Sequence, residues 1–153
     1  MINKGFSIDL SQVINLPKEM HAGIVNGMVR VLQRCRGFLL EEEPHVTGNL
    51  QTATVAQNPV DKGGSVEGTI VINPVNAQGQ PYAEYVLLGT GLLGPRHQLI
   101  YPKKAQALRF SVGGGIHFAK HTKGQKPNPF DERALNKTEP LIADEMEKGL
   151  ASL

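Results

Sequence analysis

The chain has 153 residues, enough for one ordinary domain that buries roughly two thirds of its unfolded surface. Hydrophobic residues at 40% and charged residues at 20% describe a folded, globular composition, and 17 Gly with 10 Pro announce many turns. A formal net charge of +2 is too small to mark the whole surface as a nucleic-acid binder, so only the distribution of charge carries information.

Trp is absent and aromatic residues make up 5%, which leaves the packing to Ile, Val, Leu and Met. Cys35 is the single cysteine and cannot form an internal disulfide. Its apolar helical setting favours a buried thiol over a reactive one and fits a reducing compartment. No cationic and apolar leader opens the sequence, and no apolar run approaches the roughly 20 residues that span a bilayer. A cytoplasmic origin without membrane contact is the expectation, which a particle assembled in the cytoplasm and later released would share.

In chain order, residues 1–15 carry a weak alternation at Phe6, Ile8 and Leu10 that suits a short strand or an ordered arm. From Pro17 the period changes: Met20, Ile24, Met28, Val31, Leu32, Cys35, Phe38 and Leu39 fall on one stripe at spacings of three and four, predicting an amphipathic helix. Pro17 fits its first turn and Pro44 stands beyond its end. Glu41, Glu42 and Glu43 at that end oppose the helix dipole, so they read either as a solvated tip or as a contact for a neighbouring subunit. Gly23 and Gly27, four apart inside the helix, each cost up to roughly 1 kcal/mol against Ala. A close backbone approach explains keeping both, either within the chain or against another copy.

A turn-rich link follows at residues 45–50, and Leu50, Thr52, Thr54 and Val55 suit a strand. Residues 58–65 contain Pro59, Asp61, Gly63 and Gly64 and read as a loop or hairpin turn. Val66, Thr69, Ile70, Val71 and Ile72 predict a buried strand. Residues 82–88 match helical spacing better than alternation, with Gly89 as the stop. A Gly-rich loop, a short strand at 98–101 and a turn at 103–106 come next. Residues 107–112 and 116–119 predict two strands around Gly113, Gly114 and Gly115, with Phe110 and Phe118 facing the core. A basic loop at 120–128 leads into a final helix carrying Ala134, Leu135, Leu141, Ile142, Met146 and Leu150, which Pro140 should kink or split. The expected fold is a single α+β domain over residues 1–153. In it a long N-terminal helix and a C-terminal helix pack on a mainly antiparallel sheet, with a short middle helix.

Charge is unevenly spread. After Glu84 no acidic residue occurs until Asp131, while Arg96, Lys103, Lys104, Arg109, Lys120, Lys123 and Lys126 stand between them. Such an arm reads as a solvated face or as the footprint of an anionic neighbour. As a stand-alone nucleic-acid-binding module over residues 96–126, it would show salt-dependent affinity.

Signatures of catalysis are missing. His117 and His121, with His97 as a third member, are the only ligand-like histidines, but a strand and its loop do not converge that pair as a helix would. A metal-dependent hydrolase built on them is the weakest reading. The glycines at 89–91 and 113–115 lack the residues that complete a phosphate-binding loop or a dinucleotide fingerprint, and no Gly-x-Ser-x-Gly elbow is present. The expectation is a protein with no enzymatic activity, metal or cofactor.

Four stretches, in order, resemble the neck and tail-completion proteins of long-tailed bacteriophages. Thr47-Gly48-Asn49-Leu50 resembles that family's Thr-Gly-x-Leu after its first long helix. Tyr82-Ala83-Glu84-Tyr85-Val86-Leu87-Leu88-Gly89-Thr90 is similar to its Tyr-Ala-x-Tyr-Val-Glu-x-Gly-Thr, with Leu87 in place of the Glu. The run Ile100-Tyr101-Pro102-Lys103-Lys104-Ala105-Gln106-Ala107-Leu108-Arg109-Phe110 is similar to the Pro-Lys…Ala-Leu-x-Phe segment before a hairpin. Asn128-Pro129-Phe130 followed by Ala134-Leu135 resembles the entry to the last helix.

The resemblance implies a structural virion protein with no catalytic residues. Six or twelve copies form a ring in the head-to-tail connector, assembled in the host cytoplasm, between head-closure or adaptor proteins and tail-terminator proteins, with genomic DNA passing through. On that reading Lys103, Lys104, Lys120, Lys123 and Lys126 would meet the DNA channel or an adjoining ring. Gly23, Gly27, Glu41, Glu42 and Glu43 would meet a neighbouring subunit.

Overall fold

The computed structural model describes residues 2–9, 17–45 and 48–152. It divides into two compact units, one formed by Met1–Ala83 with Phe130–Leu153 and the other by Glu84–Pro129.

The first unit is α+β. Strand β1 (Ile2–Asp9) pairs antiparallel with β4 (Ser65–Ile72) along its whole length, from Ile2 opposite Ile72 to Asp9 opposite Ser65. The predicted strand at the N-terminus is therefore present, while residues 10–15 of the expected arm lie outside the described residues. On its other edge β4 pairs with β2 (Thr54–Ala56) and then β3 (Val60–Asp61), also antiparallel. Between those two short strands the register slips by one residue, a bulge spanning the segment that holds Pro59, which has no N–H to give a ladder. Gly63, at φ +79, turns the chain from β3 into β4, and Lys62 N–H donates to Ser65 O at 2.8 Å.

Helix α1 (Lys18–Glu42) follows the predicted stripe, with Ile24, Met28, Val31, Leu32, Cys35 and Leu39 buried and Met20 left exposed at its first turn. Pro17 precedes the helix as its cap residue, and His21 N–H donates to Pro17 O. The helix lies on the sheet through Met28 and Leu32, whose side chains come so close to β4 that a Cβ on Gly68 would lie 2.7 Å from Met28 Sδ. Strand β4 is fully buried on one face and half-buried on the other. Val66, Gly68, Ile70 and Ile72 point inward while the alternate residues are half-buried, so the predicted buried strand is present, with one face more deeply covered than the other.

Leu50 and Thr52, expected in a strand, instead form the single helical turn α2 (Asn49–Thr52), and pairing begins only at Thr54. The reason is local. Thr52 Oγ1 donates to Asn49 O and Thr54 Oγ1 to Leu50 O, which satisfies turn carbonyls that a strand would offer to a neighbour. Val46 and Thr47 of the expected link lie outside the described residues.

The C-terminal helical segment is split where Pro140 stands: α4 (Phe130–Thr138), a 3-10 turn (Glu139–Leu141) and α5 (Ile142–Ala151). Both helices pack on α1. Gly23 and Gly27 are buried there, and this settles their role inside the chain. A Cβ on Gly149 of α5 would lie 2.2 Å from Gly27 N and 2.8 Å from Gly23 O, and one on Gly27 would lie 2.9 Å from Met146 Cα. The expected subunit contact at Gly23 and Gly27 is corrected accordingly, because α5 already occupies that groove.

The acidic end of α1 is also used internally. Arg133 Nε donates to Glu42 Oε2 at 2.6 Å, and Lys137 Nζ contacts Glu42 at 2.6 Å and Glu41 at 3.6 Å. These α4 cations offset the acids that oppose the α1 dipole, and Lys137 also lies over the Phe38 ring. Glu43 is 1% exposed, with its Oε1 2.5 Å from Thr54 Oγ1. Glu42 and Glu43 are thus not an open contact surface, and only Glu41 remains exposed.

Candidate functional site

The second unit begins with α3 (Ala83–Leu88), whose first residue belongs to the other unit. As the spacing predicts, the helix stops at Gly89, at φ +75. After a 3-10 turn (Gly91–Leu93) and a loop, the hairpin β5 (Leu108–Val112) and β6 (Gly115–Ala119) closes through Gly113 and Gly114, at φ +59 and +81. Two consecutive positive φ values are the requirement of a tight primed turn, which glycine meets without strain. The expected strand at 98–101 is reduced to one bridge between Ile100 and Thr122, because Pro95 and Pro102 on either side withhold ladder donors.

The basic loop is pinned through its backbone rather than free. Thr90 N–H donates to Gln125 O at 2.9 Å, Leu92 N–H to Lys123 O at 2.9 Å, and Asn128 N–H to Val86 O at 3.0 Å, while Gln125 N–H donates to Thr90 Oγ1. Gly124, at φ +85, makes the approach possible, since a Cβ there would sit 2.1 Å from Thr90 O. The glycines around Thr90 thus serve backbone packing.

On this scaffold the cations are displayed outward. Arg96, Lys103, Lys104, Arg109, Lys120, Lys123 and Lys126 are all exposed, and among the described residues none is paired with a carboxylate. Residues 84–129 hold these seven against Glu84 alone, a formal +6, and the remaining nine Lys and Arg against thirteen Asp and Glu leave −4 for the first unit. In that unit Arg30 and Arg34 of α1 hold the buried carboxylate of Glu145 at 2.8 and 3.0 Å. Burial pushes the Glu145 carboxyl up, but the hydrogen bonds from Arg34 and Arg30 outweigh it and leave it below the usual range.

The hairpin is apolar and uncovered. Phe118 is 68% exposed, Val112 60%, Ile116 56% and Phe110 40%, so the expectation that both phenylalanines face the core is corrected. The two strands pair only with each other among the described residues, so neither face is covered by a further strand. Phe110 stacks on His117 at 6.1 Å between centroids, and Tyr101 leans on His121 at 5.7 Å. Those histidines are thereby engaged with aromatic neighbours, and His97, at φ +48, donates its backbone N–H to Gly94 O. Among the described residues no group of three or more His, Cys, Asp or Glu is placed to hold a metal ion.

Beside α3 lies an open cleft of about 400 Å³. Tyr85, Leu88, Ile100 and Tyr101 form its apolar walls, and Glu84, Arg96 and Lys103 bring charge to it. Sequence reasoning placed Lys103 in the cationic array but did not find the cleft. Its signal was the pair Tyr85 and Leu88, on the helix face opposite buried Val86 and Leu87. Leu87 is 8% exposed and therefore part of an apolar interior.

Among the described residues no helix is long and apolar enough to cross a membrane. No protein-family model, curated protein or solved structure matches the chain.

Proposed function

We propose that this protein is a structural subunit of the head-to-tail connector of a long-tailed bacteriophage, in which copies form a ring through which DNA passes. The observation that carries the reading is the segregation of seven exposed, unpaired cations into residues 84–129, on a unit whose hairpin leaves apolar side chains uncovered. A cationic lining stabilises passing phosphates, and uncovered apolar strands suit burial between subunits. The resemblance adds support, because its quoted residues fall at joints of the fold: α3 with its Gly89 stop, the hairpin entry at Leu108, and Phe130, which is fully buried at the start of α4.

Electron microscopy of the protein mixed with portal-bearing heads tests this. A ring of added density at the portal vertex is expected, and a variant with Lys120, Lys123 and Lys126 changed to Glu should attach yet fail to retain DNA. Heads that never take up the protein would refute the connector role, and unchanged DNA retention would remove those lysines from the channel.

The same cations favour a second reading, a nucleic-acid-binding module that acts alone. It requires the free protein to bind duplex DNA with a log–log salt slope that falls by about one unit for each contacting Lys removed. Binding that is undetectable at low salt would exclude it.

A further inference from the structure

We propose that the hairpin of one copy docks into the α3 cleft of the next copy, with Arg109 paired to Glu84. This rests on the ring reading above and names the contact that would build the ring.

The register divides the hairpin into two faces. Arg109 lies opposite Phe118 and Ser111 opposite Ile116, so these four share one face, and Phe110, His117 and Val112 share the other. Phe118 and Ile116, both more than half exposed, flank the only Lys or Arg of the hairpin. A two-stranded hairpin standing alone is marginal in water, and these side chains gain nothing from exposure. The face therefore carries the composition of an interface core: a large aromatic, an aliphatic and an arginine.

The cleft offers the complement. Its walls are the exposed side chains of Tyr85, Leu88 and Tyr101 with the half-buried Ile100, and its volume of about 400 Å³ accommodates a phenylalanine with an aliphatic neighbour. Arg96 in the lining can stack on the incoming Phe118 ring, where a cation is attracted to the aromatic face. Glu84 is the only carboxylate among residues 84–129, so it is the one group of that unit that attracts a neighbour's cationic hairpin. No residue of the hairpin lines the cleft, so a copy does not fill it with its own hairpin.

A protrusion and its receptor on one chain form a heterologous pair, and repetition of that contact generates a ring or an open filament. Two copies that exchange hairpins reciprocally would instead close a two-fold dimer, so the size of the associated species in sedimentation separates the two products. Phe110 and Val112 on the opposite face remain available to whatever the ring meets next.

The test combines cross-linking with a charge swap. Ile116→Cys and Leu88→Cys are made separately and mixed, then mildly oxidised both in concentrated solution and on portal-bearing heads; Cys35 is buried and stays out of the reaction. A disulfide joining the two variants is expected, with no product from Leu88→Cys alone. In sedimentation and head-binding assays, Glu84→Arg and Arg109→Glu should each weaken association about tenfold or more, and the double variant should recover it. Phe118→Ala, at an exposed site, should weaken it without lowering the melting temperature. If copies associate but neither the swap nor the cross-link responds, this contact is wrong and the ring reading survives. If the wild-type protein never self-associates, alone or on heads, both fall.

Discussion

Replacing Gly149 by alanine adds one methyl group at the point where α5 crosses α1. Its Cβ would lie 2.2 Å from Gly27 N and 2.4 Å from Gly27 Cα, whereas ordinary contact begins at 3.4 Å. The obstruction is helix backbone, which cannot swing aside as a side chain can. The helices must separate locally by about 1 Å, which loosens packing along their length. It also stretches the bonds from Arg30 and Arg34 to Glu145, which sits one helical turn before Gly149. Alanine regains roughly 1 kcal/mol of helix propensity, and overpacking costs about 1–3 kcal/mol or somewhat more where backbone is struck.

The net expectation is a loss of about 2 kcal/mol, or a fall of about 4–8 °C in melting temperature for a chain of this size. Urea and thermal melts followed by far-UV circular dichroism measure it. Gly37→Ala is the control, since α1 is exposed there and nothing lies within 4 Å of the added carbon. It should stabilise by about 0.5–1 kcal/mol. A Gly149→Ala protein as stable as the parent, or the two variants shifting in the same direction, would refute the assignment of this glycine to close packing.

Two pH dependences of opposite sign are expected. Burial pushes the Glu43 carboxyl up, more than its hydrogen bond from Thr54 lowers it. The folded state therefore binds its proton more tightly, and the destabilisation from ionising Glu43 is absent below the ordinary value of 4.5 and grows as pH rises through the raised folded value. Glu43→Gln should gain stability over the parent at neutral pH and lose that advantage in acid, read from urea midpoints; a variant weaker at neutral pH than in acid contradicts this.

Glu42 behaves in the opposite sense, held below its usual range by hydrogen bonds from Arg133 and Lys137, and so does Glu145. Their stabilisation is complete above 4.5 and is lost as pH falls through the depressed values. Acid unfolding should therefore become less steep in Arg133→Met and in Arg30→Met with Arg34→Met, and an unchanged acid limb would dismiss these pairs.

The stretches legible in advance were those whose cause is local. The stripe from Ile24 to Leu39 gave α1, Gly63 and the Gly113–Gly114 pair gave turns, Gly89 ended α3, and Pro140 split the last helix. The strand expected over Leu50 and Thr52 failed because Thr side chains bonded to nearby carbonyls instead of leaving them for a ladder. Phe110 and Phe118 misled for a different reason: alternation identifies a strand face but does not say whether anything lies against it. The cationic array was visible as a run without acids, while the cleft was not, since residues 84–103 form it only after the chain folds back on itself.

Sequence by itself determined the helical and extended periods, the turns, the break at Pro140 and the partition of charge, because each follows from residues within a few positions of one another. Tertiary structure alone decided that Gly23 and Gly27 receive Gly149 of the same chain, that Glu43 is interior, that the basic loop is tied to Thr90 and that the hairpin stands uncovered. A spacing of three and four specifies that a face must be buried; which surface covers it depends on partners a hundred residues away, and only the folded chain brings those together.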